Sequence, residues 1–167
     1  MNAWELAALS PSHWPAIRAV YLEGIATGSA TFETNAPDWD TWDQHHLAHS
    51  RLTLWSGGEL AGWAALSPVS YRPVYAGVAE VSVYVAAAFR GQGAGRVLLS
   101  ALVESAEQHG IWTLQAVIFP ENQASLRLHQ SCGFRMVGRR EKIGKMGDVW
   151  RDTLLLERRS TRVGTQE

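Results

Sequence analysis

Apolar residues recur along the first fifty positions in a pattern that predicts one strand followed by two helices. Residues 3–9 form a short predicted strand. Ser10 and Pro11 then predict a helix start, since proline is tolerated in the first helical turn, and apolar residues follow at helical spacing up to Gly28. The polar stretch 29–37 is a long connection, and a second helix is predicted from about residue 37 to His49.

The middle of the chain has the pattern of paired strands. Two apolar runs, 52–55 and 60–66, flank Gly57 and Gly58, and two such runs joined by a pair of glycines are typical of a β-hairpin. Residues 67–78 contain proline and glycine breakers and are predicted to be a loop. Residues 80–85 are mostly β-branched or aromatic, which strongly favours a strand.

Helices and strands alternate in the rest of the chain. The predicted elements are a helix at 93–109, a strand at 112–118, a helix at 122–131, and strands at 134–138 and 149–156. Strands that first pair locally and then alternate with helices predict an α/β fold (α+β in some classifications) with a mixed sheet. We expect a single domain over residues 1–157, followed by a flexible tail at 158–167.

Composition excludes several classes of protein. The chain has 167 residues, of which 46% are apolar and 19% charged, and this suits one globular domain. Its formal net charge of −1 argues against a nucleic-acid-binding protein, which would carry a basic excess. The single cysteine, Cys132, excludes a disulfide framework and a cysteine zinc cluster, and we expect it to serve packing. No apolar run is long enough to span a membrane and the first residues lack a secretory signal, so we expect a cytoplasmic protein.

Three histidines lie close together near the end of the second predicted helix. His45 and His49 are four residues apart, with His46 between them, but no third metal ligand lies within reach in the sequence. We therefore predict a solvated helix face at these positions and no metal site.

A glycine-rich segment, Arg90-Gly91-Gln92-Gly93-Ala94-Gly95-Arg96, joins the predicted strand 80–85 to the following helix. Glycines at alternate positions let the backbone turn tightly and direct successive N–H groups to one point, and a helix start adds partial positive charge. The segment is a candidate phosphate site, although a turn without a ligand is an equal interpretation of this segment alone. It departs from the dinucleotide fingerprint, because Arg96 stands at the third glycine, and it lacks the Gly-Lys-Ser/Thr of nucleoside triphosphate loops.

Two spaced motifs resemble those of the GCN5-related N-acetyltransferases. They are the glycine-rich segment after Glu-Val-Ser-Val-Tyr-Val, and Asn122-Gln-Ala-Ser-Leu-Arg-Leu-His129 followed by Gly133-Phe134. Within that superfamily, residues 30–34, 79–85, 126–129 and 143–152 are similar to the phosphinothricin and methionine sulfoximine acetyltransferase branch. The resemblance implies a mixed sheet of six or seven strands with about four helices, splayed to admit coenzyme A. It also implies acetyl-CoA as co-substrate, no metal, and a homodimer.

The resemblance further implies which residues hold acetyl-CoA. The pyrophosphate is expected on the backbone amides of 91–96, and the pantetheine arm is expected to lie along the strand like an added strand. Asn122 and Ser125 are expected to contact the coenzyme, with a helix N-cap as the alternative or additional role of Asn122. The expected coenzyme-binding residues are therefore Val83, Tyr84, Val85, Arg90, Gly91, Gln92, Gly93, Ala94, Gly95, Arg96, Asn122 and Ser125.

Two side chains are expected to be catalytic on the same grounds. Glu80 stands where this branch has its general base, acting directly or through a water; a solvent-facing charge or an ion pair with an arginine is the alternative. His129 stands where many relatives have tyrosine and this branch has histidine, and its role as acid, second base or water-holder stays open. A backbone N–H at Val83 or Tyr84 is expected to stabilise the oxyanion.

Substrate contacts are expected from two loops. Arg72 has the fork-shaped group that suits a substrate carboxylate, with an ordinary surface role as an equal alternative, and Pro73, Val74 and Tyr75 follow it. Phe32 and Glu33 are expected to close over the substrate. Lys145 and Trp150 are candidates for contributions from the neighbouring subunit.

The sequence thus favours an N-acetyltransferase that moves acetyl directly from acetyl-CoA to the α-amine of a small amino-acid-like substrate of the phosphinothricin, methionine sulfoximine or methionine sulfone type. Two alternatives remain. One is acetylation of another amine, such as a polyamine, an aminoglycoside or a protein N-terminus, which an acidic cleft would favour. The other is a catalytically silent module that binds coenzyme A.

Overall fold

Seven strands form one sheet in the order β1-β2-β3-β4-β5-β7-β6. The computed structural model describes residues 2–165. The strands are β1 (Glu5–Ala8), β2 (Leu52–Ser56), β3 (Glu59–Pro68), β4 (Val78–Val85), β5 (Thr113–Ile118), β6 (Arg135–Met146) and β7 (Val149–Arg159). The α-helices are α1 (Trp14–Ala26), α2 (Trp39–His45), α3 (Ala94–Gln108) and α4 (Gln123–Ser131). All neighbouring strands run antiparallel except β4 and β5, so the prediction of a mixed sheet with four helices is confirmed.

The central strand β3 explains how both faces of the sheet are covered. Ala64 and Leu66 pack into the core cluster that contains α3 residues, whereas Trp63 and Ala65 pack into the cluster that contains α1 and Trp42 of α2. All four are fully buried. A strand that is buried on both faces reads as a continuous apolar run, which is the pattern found at residues 60–66.

Three element boundaries differ from the predictions. The helix α2 ends at His45 rather than His49, because His46 already has an extended backbone (φ −119°, ψ 149°). The strands β6 and β7 extend well beyond 134–138 and 156, as a long antiparallel hairpin that closes through Gly147 and Asp148. Most of β6 is exposed, so it lacks the alternation of buried and exposed residues from which a strand could be predicted.

The residues after 157 are attached to the domain more firmly than a flexible tail would be. Residues 158 and 159 belong to β7, and the backbone N–H of Ser160 donates a hydrogen bond of 2.7 Å to the carbonyl of Trp112. Glu107 of α3, whose side chain is only 7% exposed, accepts hydrogen bonds from Ser160 Oγ (2.9 Å) and Arg158 (3.1 Å). The domain therefore continues past the predicted boundary at 157. Residues 166 and 167 of the predicted tail lie outside the described residues.

No helix within residues 2–165 is both long enough and apolar enough to cross a membrane.

Glu107 gives a test of this attachment. Burial alone would raise the pKa of its carboxyl, but the hydrogen bonds from Ser160 and Arg158 outweigh burial and hold the pKa below its usual range. A carboxyl with a lowered folded-state pKa stabilises the protein above its unfolded pKa, and this contribution is lost as the pH falls through the folded value. We expect Glu107→Gln to reduce the free energy of unfolding at pH 7 by about 1–3 kcal/mol.

The difference between wild type and Glu107→Gln should shrink as the pH falls below about 4.3, the ordinary pKa of a glutamate. Urea unfolding at a series of pH values measures it. Glu104→Gln, an exposed position on the same helix, is the matched control and should leave stability nearly unchanged. A Glu107→Gln protein as stable as the wild type at pH 7 would contradict this attachment.

Candidate active site

The sheet opens between its two parallel strands. Strands β4 and β5 pair only at Val78–Thr113, Ala79–Leu114 and Glu80–Gln115. Beyond Glu80, β4 continues to Val85 beside β3, and β5 continues to Ile118 beside β7, but the two strands do not pair again within the described residues. The edge of β4 over residues 81–85 is therefore free on its β5 side, and a wedge-shaped gap separates the strands. This is the splay that the family resemblance implies.

A cavity of about 360 Å³ lies at this gap. Its walls come from β4, from the end of β5 and the loop after it, from α4, and from the segment that follows α1. The cavity brings together both expected catalytic residues and several expected binding residues: Glu80, His129, Val83, Tyr84, Asn122, Ser125, Phe32 and Glu33. Residues far apart in the chain thus face one space.

Glu80 is held at the point where the strands separate. It is half-buried, and its Oε1 accepts a hydrogen bond of 2.8 Å from Nε2 of Gln115, the residue opposite it on β5. One carboxylate oxygen is therefore positioned by the neighbouring strand. Gln115 could not be identified from the sequence, because the partner of Glu80 depends on the register of two strands and lies 35 residues away in the chain.

His129 lies on α4 and is only 5% exposed. Its Nδ1 is 2.7 Å from the carbonyl oxygen of Ser125, and because a carbonyl can only accept, Nδ1 carries the proton. Burial lowers the pKa of His129 below its ordinary value, although the Ser125 hydrogen bond acts in the opposite direction. At neutral pH the ring is therefore neutral, with an Nε2 that carries a lone pair and accepts hydrogen bonds.

Stacked aromatic rings form another wall of the cavity. The rings of Tyr21, Trp63 and Tyr84 stack on one another, with centroid distances of 4.8 Å from Tyr84 to each of the other two and 5.6 Å between Tyr21 and Trp63. Burial, and secondarily the charge of Glu33, raises the pKa of Tyr21; burial also raises the pKa of Tyr84. Both phenols therefore stay protonated and can donate hydrogen bonds near Thr31 and Glu33. Tyr21 was not singled out from the sequence, since it is one of several apolar residues at helical spacing, and Thr31 lies in the segment 30–34 that carries the resemblance but was given no role of its own.

The glycine-rich segment has the predicted conformation of a tight turn into a helix. Gly91 (φ +75°) and Gly93 (φ +90°) are left-handed, Gly93 is the N-cap of α3, and a Cβ at either would meet no neighbouring atom within 4 Å. Helix N-termini leave backbone N–H groups without intrahelical partners. Arg90 and Arg96 are exposed beside this open turn. The side chain of Gln92 instead donates to the Ala88 carbonyl at 3.0 Å.

Asn122 makes two hydrogen bonds within the chain. Its Oδ1 accepts from the backbone N–H of Ser125 at 3.2 Å, so the N-cap interpretation is confirmed. Its Nδ2 donates to the carbonyl of Ser29 at 3.2 Å, which ties α4 to the segment after α1.

The second expected substrate loop does not reach this cavity within one chain. Arg72, Pro73, Val74 and Tyr75 are all exposed and are not among the residues that line it, and the Arg72 guanidinium lies over the Tyr75 ring at 5.7 Å. Lys145 and Trp150 are also exposed, at the far end of the β6–β7 hairpin.

The residues that line the active-site cavity include two carboxylates, Glu33 and Glu80, and no lysine or arginine, so the cavity is acidic.

The prediction of a solvated helix face is wrong for His46, whereas His45 is exposed at the end of α2. The ring of His46 stacks on Trp42 with centroids 4.0 Å apart, and burial lowers its pKa to about 4. His46 turns inward because α2 ends at His45, earlier than predicted.

His45 and His46 line a second cavity of about 480 Å³, which shares Tyr21 and Glu33 with the first. Over residues 2–165, no group of three or more His, Cys, Asp or Glu side chains is arranged to hold a metal ion.

Known proteins share both the sequence pattern and the fold. The model of the acetyltransferase (GNAT) family matches residues 14–134. The chain is 36% identical over 155 residues to the phosphinothricin N-acetyltransferase of Alcaligenes faecalis, covering 86% of this chain and 76% of that protein. It is 35% identical over 151 residues to the L-methionine sulfoximine/L-methionine sulfone acetyltransferase of Pseudomonas aeruginosa, covering 86% and 87%.

A solved structure agrees with these sequence matches. The GNAT superfamily phosphinothricin acetyltransferase of Sinorhizobium meliloti, crystallised in complex with acetyl-CoA, superposes with a TM-score of 0.88 at 25% identity. The superposition covers 100% of this chain and 93% of that one. The chain therefore belongs to the GNAT family of acetyltransferases, is an acetyl-CoA-dependent enzyme, and within that family is similar to phosphinothricin and methionine sulfoximine acetyltransferases.

Proposed function

We propose that this enzyme transfers acetyl from acetyl-CoA to the α-amine of a small amino-acid-like substrate of the phosphinothricin, methionine sulfoximine or methionine sulfone type. The observation that carries the proposal is the position of Glu80, at the end of the parallel pairing and in one cavity with His129. The names of two relatives at 35–36% identity support this substrate class.

The residues around the gap fit the coenzyme. The free edge of β4 at residues 83–85 offers backbone groups to the amides of the pantetheine arm, in the manner of an added strand. The open turn at 91–96 offers backbone N–H groups to the pyrophosphate, with Arg90 and Arg96 as nearby charges. Asn122 and Ser125 line the cavity and are the proposed side-chain contacts of the arm.

Glu80 is the proposed general base. The amine nitrogen forms a bond to the thioester carbonyl carbon, the C–S bond breaks, and its electron pair leaves with the sulfur. The proton that the nitrogen loses goes to Glu80, directly or through a water. Gln115 holds one oxygen of Glu80, which leaves the other for the proton. A backbone N–H at Val83 or Tyr84 is the proposed donor to the oxyanion.

His129 is proposed as a proton acceptor or water-holder rather than the acid. Because Nδ1–H is committed to the Ser125 carbonyl and the ring is neutral at pH 7, Nε2 has no proton to give to the departing sulfur. The thiolate then takes its proton from solvent.

The acidity of the cavity supports a second candidate, a substrate with an additional cationic group such as a polyamine. Glu33 and Glu80 line the cavity without a lysine or arginine, and this suits ammonium groups better than carboxylates.

For an amino-acid substrate we propose that Arg72 supplies the positive charge for the substrate carboxylate in a homodimer, in which Lys145 and Trp150 come from the neighbouring subunit. The exposed fractions of Trp150 (56%) and Val149 (63%) are those expected of an apolar subunit contact.

The cytoplasmic location of the protein stays a prediction.

A thiol-release assay tests the reaction and the base together. We expect turnover of acetyl-CoA with phosphinothricin, methionine sulfoximine or methionine sulfone, and at least a tenfold lower kcat/KM with 1,4-diaminobutane or spermidine. Glu80→Gln keeps the Gln115 contact within reach but removes the base, and should lower kcat by about 100-fold or more. Glu141→Gln, an exposed carboxylate on β6, is the control and should behave as wild type. Faster turnover of the polyamines would establish the second candidate, and no turnover of any amine would overturn both.

Alanine substitutions of the glycines at the two ends of α3 test the proposed pyrophosphate site. Gly93 (φ +90°) begins the helix and Gly110 (φ +76°) follows its end, and neither has an atom within 4 Å of an added Cβ. Alanine at either position costs roughly 1–2 kcal/mol of backbone strain, so both variants should lose similar stability. Only Gly93→Ala should weaken acetyl-CoA binding, by about tenfold or more in isothermal titration calorimetry, because only it disturbs the amides at 91–96. Equal affinities in the two variants would contradict the assignment.

A further inference from the structure

The segment 28–33 forms one wall of the active-site cavity but has no regular structure of its own. Thr31, Phe32 and Glu33 line the cavity, yet the segment lies between α1 and α2 outside any helix or strand. A loop in such a place is mobile unless side chains from other elements hold its backbone. The contacts that hold this segment therefore determine where the acceptor amine can bind.

Arg151 on β7 makes an unusual set of contacts with this region. One Nη donates a hydrogen bond to the carbonyl of Gly28, and the other lies 3.3 Å from a carboxylate oxygen of Glu121. The guanidinium lies over the ring of Phe119 at 3.8 Å from its centroid. Its side chain is only 16% exposed, so this charge is largely removed from water and its contacts replace hydration.

Phe119 connects Arg151 to the cavity, because it contacts the guanidinium and also lines the cavity. It is 4% exposed, it lines the cavity, and its ring meets Phe32 edge-on with centroids 4.8 Å apart. The tip of the Phe32 ring is also constrained, since a Cβ at Gly144 of β6 would lie 2.5 Å from its Cζ atom. Phe32 is thus fixed between the loop after β5 and the β6–β7 hairpin. Arg151, itself on that hairpin, contacts both the loop after β5 and the segment that contains Phe32.

We propose that Arg151 is a positioning residue for acceptor binding, one that holds segment 28–33 and Phe119 in the arrangement that receives the amine. This inference rests on the proposed function, because it concerns the acceptor side of the same cavity. The guanidinium is required as a planar group: it stacks on Phe119 while its two Nη atoms reach Gly28 and Glu121, which an ammonium group cannot reproduce. The coenzyme side, along β4 and residues 91–96, has no contact with Arg151 among the described hydrogen bonds and ion pairs.

Steady-state kinetics of Arg151→Lys and Arg151→Met test the proposal, with the best acceptor of the wild-type enzyme as substrate. We expect KM for the amine to rise by about tenfold in both variants, while KM for acetyl-CoA stays within about twofold. Arg159→Met is the matched control, because Arg159 also lies on β7 with its guanidinium over an aromatic ring, Trp112 at 5.5 Å, but away from the cavity. It should leave both KM values unchanged.

Hydrogen exchange followed by mass spectrometry gives a readout that does not need turnover. We expect faster exchange in residues 28–33 of Arg151→Met and wild-type exchange there in Arg159→Met. Unchanged exchange and unchanged amine KM would overturn the proposal. An equal rise of both KM values with a general loss of protection would also overturn it, since Arg151 would then serve only stability. A wild-type KM for the amine in Arg151→Lys would contradict the requirement for the planar guanidinium at this position. If the wild type acetylates no amine, the proposed function fails, and the exchange data alone decide the role of Arg151.

Discussion

The separation of β4 from β5 immediately after the Glu80–Gln115 pair is the constraint on which the rest of the site depends. Parallel strands normally satisfy each other's backbone groups along their length, so a pair that stops after three residues leaves polar backbone facing a gap. That gap offers backbone groups to a ligand with peptide-like groups, and the last paired side chain, Glu80, lies at its closed end. In the proposed complex the sheet therefore sets the position of the coenzyme arm relative to this carboxylate.

The walls of the cavity give its electrostatic character. The protonated phenols of Tyr21 and Tyr84 supply donors, neutral His129 supplies an acceptor, and Glu33 and Glu80 supply negative charge. Such a surface attracts an ammonium group and can then accept its proton. The coenzyme phosphates lie elsewhere in this account, at the start of α3, where the helix terminus and two arginines provide the opposite charge.

Local sequence signals revealed part of this site and not the rest. Glu80, His129 and the glycines at 91 and 93 could be found because they lie in short motifs with fixed spacing. Gln115, Tyr21 and Arg151 could not, because their roles come from strand register and from contacts between segments distant in the chain. The length of β6 could not be predicted because its residues are exposed. The inward position of His46 could not be predicted because α2 ends at His45, four residues before the predicted end, and no glycine or proline marks this end in the sequence.

The most direct test of the central claim is hydrogen exchange at the free edge of β4 with and without acetyl-CoA. We predict that saturating acetyl-CoA slows amide exchange in residues 81–85, while residues 62–64 of β3, already paired on both sides, stay unchanged. Tight binding of acetyl-CoA with no added protection at residues 81–85 would show that the coenzyme does not occupy the gap between β4 and β5, and would contradict this account.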